Sequence, residues 1–353
     1  MFNRISAVLT LVCAACTAKG DKPADSAAVA SASSTTTTPA GSTSTTGTSA
    51  PAPATTGGDP NRVPNELGHI PVVEYHLIGD KNATYERERG QFARDLEFIY
   101  QKGYRPVTMS QVLDRKIDLP RGLSPVVFVF DDASPSQFKY IERNGNLEID
   151  PTSGIGIWLD FKKKHPDWEN RAVFCMLSGA AAGRSFFGDK GIEGQKSEWR
   201  HKKVQFLHQQ GFELCNHTLW HAQLSKYSDA VVQEQIARGQ LAIDSAVPGY
   251  KVRSFALPLG VWPKNRALAK SGSWTDPKTG KVTRYNNEAI MEVSGGPTES
   301  PYDPKYNPSS IRRIEVIGQQ MQQTLERMDK NGTRYVSDGD PNTVAKPSPV
   351  GNR

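Results

Sequence analysis

The chain has 353 residues, with 43 Lys and Arg against 37 Asp and Glu, a net charge of +6 and a pI near 9.0. The two signs are interspersed, so the basic excess does not describe a nucleic-acid surface, and short runs such as Lys162-Lys163-Lys164 read as solvated helix faces. The length admits two average domains, but a single barrel reaches the size that remains once the N-terminal region is set aside.

Residues 1–16 hold one Arg4, an apolar stretch from 5 to 12 and small residues before Cys16. That pattern predicts an export signal and is too short to span a bilayer. Cys16, behind Ala14 and Ala15, resembles the lipidated cysteine of bacterial lipoproteins, although Cys13 stands where Leu is usual. The expectation is an exported protein, anchored through a lipid on Cys16, facing the periplasm or cell exterior and touching the membrane nowhere else. Residues 17–60 are almost entirely Ala, Ser, Thr, Gly and Pro. They offer too little apolar surface to offset the entropy of ordering, and predict a disordered tether; a cleaved propeptide is the competing reading.

From residue 61 to 342 strand-like and helix-like runs alternate, the pattern of a parallel sheet wrapped by helices. Strands are expected at 71–76, 125–130, 172–177, 212–215, 254–257 and, last, 333–336. Helices are expected at 91–102, where Phe92, Leu96, Ile99 and Tyr100 share a face before Gly103, and at 319–330, where Met321, Leu325 and Met328 do so. The polar stretches 132–172 and 178–195 read as long loops over one barrel mouth. The glycines at 179 and 183 lack the lysine of a phosphate loop, which excludes a nucleotide site of that kind. Residues 343–353 read as a tail. Past the signal region only Cys175 and Cys215 remain; export permits a disulfide, and buried free thiols in neighbouring strands account for them equally.

The chemistry concentrates in two places. Pro125 to Phe130 is β-branched and aromatic without polar alternation, a strand buried on both faces, and Asp131 and Asp132 follow it at once. Two buried carboxylates need a cation or an arginine to offset them. His217 and His221 are four apart, so a helical turn would put both rings on one face, able to grip one ion. Two imidazoles and a carboxylate then hold a divalent metal, and the second carboxylate is left as a base. Trp220 and Trp262 adjoin these segments and offer faces for a sugar ring, with core packing as the alternative. A metallopeptidase is excluded, because Thr218 occupies the place of the glutamate which that chemistry needs.

With these motifs the chain resembles the polysaccharide deacetylase family, the NodB-like carbohydrate esterases, over roughly residues 70 to 340. The family's Thr-Phe-Asp-Asp-Gly stands here as Val129-Phe130-Asp131-Asp132-Ala133, its His-containing second motif as Asn216-His217-Thr218-Leu219-Trp220-His221, and its Arg-Pro-Pro-Tyr-Gly as Ala256-Leu257-Pro258-Leu259-Gly260. The resemblance implies an α/β fold, a distorted (β/α)7-type barrel, in which Asp132, His217 and His221 hold a divalent metal, zinc first with cobalt or nickel as alternatives. It also implies Asp131 as general base and the backbone amide of Leu259 as oxyanion donor. Two positions depart from the pattern: the third-motif arginine is Ala256, and no histidine follows His221. The branch resembling poly-N-acetylglucosamine deacetylases carries its acid histidine in the first strand, which maps onto Tyr75-His76 and makes His76 the expected acid; a hydrogen-bonded structural histidine is the competing reading. Arg312 and Arg313 are candidates to orient Asp131, or else form an interior ion pair. The function expected is N-deacetylation of an extracytoplasmic amino-sugar polymer by a monomer, with acetate released. A decayed glycan-binding lipoprotein and an acetyl-ester hydrolase of the same fold are the alternatives.

Overall fold

The computed structural model describes Asp59 and residues 61–178 and 185–347. The export signal, Cys16 and nearly all of the expected tether lie outside the described residues.

Seven strands form the frame: β1 (Val72–Tyr75), β2 (Ser124–Phe130), β3 (Val173–Met176), β4 (Glu213–Asn216), β5 (Ser254–Ala256), β6 (Ala289–Gly295) and β7 (Ile311–Glu315). Each pairs in parallel with the next, and β7 pairs with β1, so the sheet closes into a barrel in sequence order. A short strand, Tyr104–Pro106, adds to the first half of β2. The fold is a NodB-like (β/α)7 barrel. Its crossovers include the helices α1 (Arg89–Gln101), α2 (Gly154–Lys164), α3 (Arg200–Gln209) and α4 (Asp229–Ala246), and α5 (Gln320–Lys330) follows β7.

All of β2 is buried, and the period-two alternation of a strand divides its side chains between two cores. Val126, Phe128 and Phe130 join Trp158, Trp168 and Phe174 in the layer under the helices. Val127 and Val129 join Val72, Cys175, Cys215, Ala256, Met291 and Ile311, contributed by all seven strands and therefore filling the barrel interior. Cys175 and Cys215 are register partners in β3 and β4 and are joined by a disulfide within that interior, with Cα atoms 4.1 Å apart. The same alternation carries upward. Glu74 continues the parity of Val72, Asp131 that of Val129, His217 that of Cys215 and Arg313 that of Ile311, so four polar side chains cap the inner core at the C-terminal ends of the strands. Chemistry in β/α barrels sits at that face.

Several expectations need correction. Residues 333–336 are not a barrel strand; Arg334 and Val336 only bridge His69 and Asn65. The sixth and seventh walls come instead from β6 and β7. The stretch 132–172 is not one long loop, since it holds an antiparallel hairpin (Tyr140–Arg143 with Asn146–Ile149) and α2. Ala345, in the expected tail, exchanges backbone and side-chain hydrogen bonds with Glu66. No helix among the described residues is long and apolar enough to cross a membrane.

The disulfide closes a loop of 40 residues, for which chain entropy gives about 4 kcal/mol of stabilisation. Urea unfolding of reduced against oxidised protein should show a loss of that order, and peptide mapping should recover the Cys175 and Cys215 fragments linked. Recovery of both as free thiols from unreduced protein would contradict the bridge.

Candidate active site

Asp131 and Asp132 leave the end of β2, and the chain turns there through left-handed backbone: φ is 77° at Asp132 and 47° at Ala133. His217 follows β4 directly. The residues after it are not a helical turn, contrary to the expectation from their spacing; Thr218 and His221 are themselves left-handed, with φ of 72° and 59°. Asn216 shapes this turn by accepting a hydrogen bond from the Thr218 N–H and donating one to the Ile236 carbonyl of α4, while Thr218 Oγ1 accepts from the His221 N–H. A glycine inside α4 makes room for it, because a Cβ on Gly239 would lie 2.3 Å from Asn216 Oδ1. Left-handed φ in non-glycine residues costs about 1 kcal/mol or more each, and its concentration here is typical of functional sites.

The result is that the two imidazoles converge without a helix. Nε2 of His217 lies 3.5 Å, and Nε2 of His221 3.6 Å, from Oδ1 of Asp132. Nδ1 of His217 is 2.8 Å from the Ala256 carbonyl and donates to it, which leaves the Nε2 lone pair of a fully buried ring with no hydrogen-bond partner. That is how a metal-ligating histidine is prepared, with its other nitrogen fixed by an outer partner. Burial and the neighbouring His217 push His221 down to about 4, so its ring is neutral and open to a cation at physiological pH. The side chains present therefore fit a divalent metal held by Asp132, His217 and His221.

Asp131 stands apart from that set. Arg313 of β7 donates to its Oδ2 at 2.9 Å and, on the other side, approaches Glu74 Oε2 at 3.2 Å; all three side chains are buried. Burial by itself would raise Asp131, but Arg313 and His217 outweigh it and hold the carboxyl below its usual value. Glu74 goes the other way, since its burial outweighs Arg313 and it is pushed well above the normal range. His76 follows β1, with Nε2 3.3 Å from Glu74 Oε1 and burial lowering its pKa. These groups open onto a cavity of about 270 Å3 whose wall includes Leu257, Leu259, Val293 and Tyr85. Leu259 is 56% exposed and left-handed, at φ 59°.

Residues 169–272, from just before β3 to the hairpin beyond β5, match the family described as polysaccharide deacetylase. Over that stretch the chain is similar to the polysaccharide deacetylase family. Solved structures share the fold of this domain at low identity. The deacetylase PplD of Streptococcus pyogenes, in complex with acetate, is 16% identical with a TM-score of 0.52, over 73% of this chain and 98% of its own. IcaB from Ammonifex degensii is 19% identical with a TM-score of 0.51, over 73% and 96%. The putative polysaccharide deacetylase BA0330 from Bacillus anthracis is 15% identical with a TM-score of 0.51, over 73% and 69%.

In this barrel Asp131, Asp132, His217, His221, His76 and Leu259 all border one cavity. Trp220 and Trp262 do not line it. Trp220 is 38% exposed beside Tyr227, and Trp262 donates to Glu292 and packs under Arg266. Arg312 pairs with Glu299, so of the two adjacent arginines it is Arg313 that reaches Asp131. Glu74 was not singled out by sequence reasoning; a carboxylate between Val73 and Tyr75 in a buried strand was the available signal.

Replacing Arg313 with Ala would leave Glu74 and Asp131 buried without their cation, at a cost of about 3–5 kcal/mol in urea unfolding at neutral pH. A carboxyl whose folded pKa is raised opposes folding when ionised, so the deficit should shrink as pH falls through the elevated pKa of Glu74. A loss under about 1 kcal/mol, or one that grows with acid, would contradict this electrostatic role.

Proposed function

We propose that the protein is a divalent-metal-dependent hydrolase that removes N-acetyl groups from an amino-sugar polysaccharide outside the cytoplasm and releases acetate. The observation that carries the reading is the difference between two adjacent carboxylates: Asp132 Oδ1 lies 3.5 and 3.6 Å from the two imidazoles, while Asp131 Oδ2 accepts from Arg313 and lies 4.0 Å from His217 Nε2. When bound, a divalent cation supplies Lewis acidity at the acetyl carbonyl. Asp131, kept ionised and with Oδ1 free of hydrogen bonds, takes a proton from the attacking water. The backbone amide of Leu259, a residue of the cavity wall, is the donor for the developing oxyanion. His76 returns a proton to the departing amine, with Asp131 and Asp132 favouring the charged ring against its burial.

Arg313 supports an active site over a decayed one, because it restores to the base the partner that Ala256 withholds. The cavity admits one sugar-sized group, so the polymer's neighbouring units lie outside it. The placement of His76 after the first strand is the arrangement implied by the resemblance to poly-N-acetylglucosamine deacetylases, and that polymer class is the substrate we favour. Zinc is the favoured metal, on the strength of two imidazoles and one carboxylate. Export and a lipid on Cys16 complete the proposal and rest on the sequence.

Acetate release from acetylated glucosamine oligomers tests the activity directly. Asp131→Asn should retain the metal and lower turnover by roughly two to four decades, the range for loss of a general base. Activity close to wild type would reassign the base. His76→Ala should slow amide substrates far more than activated acetyl esters, whose leaving groups need no proton; an equal fall on both would remove His76 from the role of acid.

A further inference from the structure

Beside the Asp132, His217 and His221 set, a second group of donors converges at the barrel mouth. Atoms of Glu74, His76 and Asp131 lie within 4.8 Å of one another. Arg313 engages Asp131 at Oδ2 and approaches Glu74 at Oε2. The other oxygen of each carboxylate, Glu74 Oε1 and Asp131 Oδ1, is buried and has no hydrogen-bond partner, and the Glu74 side chain is 0% exposed. A fully buried carboxylate left in that state costs several kcal/mol unless something accepts its lone pairs. The Glu74 Oε1 to His76 Nε2 separation is 3.3 Å. Two ligands on a tetrahedral ion with bonds near 2.1 Å stand roughly 3.4 Å apart, so this pair already has the spacing of a chelate.

We propose that Glu74, His76 and Asp131 form a second divalent-cation site, weaker than the first, and that its occupation inhibits hydrolysis. It is weaker because the Arg313 guanidinium adjoins two of its three ligands and a cation in the first site adds repulsion. One imidazole with two carboxylates suits zinc or manganese. The inhibitory consequence rests on the reading of Asp131 as base and His76 as acid, since a cation held there takes both lone pairs out of use. The binding itself does not rest on that reading.

The test is a zinc titration of the full-length protein, followed by calorimetry and by metal analysis after equilibrium dialysis. Wild type should bind one tight and one weaker equivalent. Glu74→Gln and His76→Gln should each keep the tight equivalent and weaken the second by more than the 10- to 100-fold that follows loss of a mere outer partner; His76, 15% exposed, gives a variant less exposed to folding failure than the buried Glu74. In parallel, acetate release by wild type should rise with the first equivalent and fall with the second. A single equivalent in wild type would overturn the site and assign the orphan oxygens to a proton shared by Glu74 and His76. Two equivalents unaffected by both variants would overturn the ligand assignment. Two equivalents with undiminished hydrolysis would overturn the inhibition. Two equivalents with no hydrolysis at any loading would leave the site standing and refute the deacetylase reading instead.

Discussion

Three carboxylates, Glu74, Asp131 and Asp132, are buried within one barrel mouth; one arginine offsets the first two, and His217 and His221 face the third. Arg313 enters from β7 with no exposed surface and lies against Glu74 on one side and Asp131 on the other. Its position has two effects. It offsets charge that would otherwise disrupt the top of the inner core, and its hydrogen bond to Asp131 distinguishes that carboxylate from Asp132, which faces both imidazoles. Closure of the barrel supplies that placement, since β7 pairs with β1 and so brings residue 313 next to residue 74.

How far the sequence disclosed this depends on what each residue's neighbours conceal. The strand ending in Asp131 and Asp132 was legible because seven consecutive buried residues leave no other reading. The convergence of His217 and His221 was legible as a spacing but not as a conformation. Their turn depends on left-handed backbone and on Asn216 seated against Gly239, neither of which a four-residue interval encodes. The strands β6 and β7 were missed for a different reason. In β7, Ile311-Arg312-Arg313-Ile314-Glu315 breaks the apolar pattern of a buried strand, because Arg313 is a buried charge. Glu74 was hidden by the same logic, a charged residue in an apolar strand whose partner lies far along the chain. The two tryptophans show the converse: adjacency in sequence to a motif did not bring them to the cavity.

Strain and orphaned atoms tell the same story. Asp132, Ala133, Thr218, His221 and Leu259 all adopt left-handed backbone, and all belong to the segments that build the site. The surrounding structure holds them there: paired strands below, α4 behind Asn216, and the disulfide between β3 and β4 beneath the ligands. The unpartnered atoms at the mouth, on Glu74, Asp131 and His217, are those that a cation or a substrate would engage.

The most direct measurement is X-ray absorption at the metal edge on protein loaded with one equivalent of zinc, combined with anomalous-difference density from crystals of the same material. The account predicts an ion coordinated by two imidazoles, those of His217 and His221, and by one Asp132 oxygen, with the Asp131 carboxylate still paired to Arg313 and outside the coordination sphere. An ion ligated by Asp131, or located away from the two histidines, would contradict it.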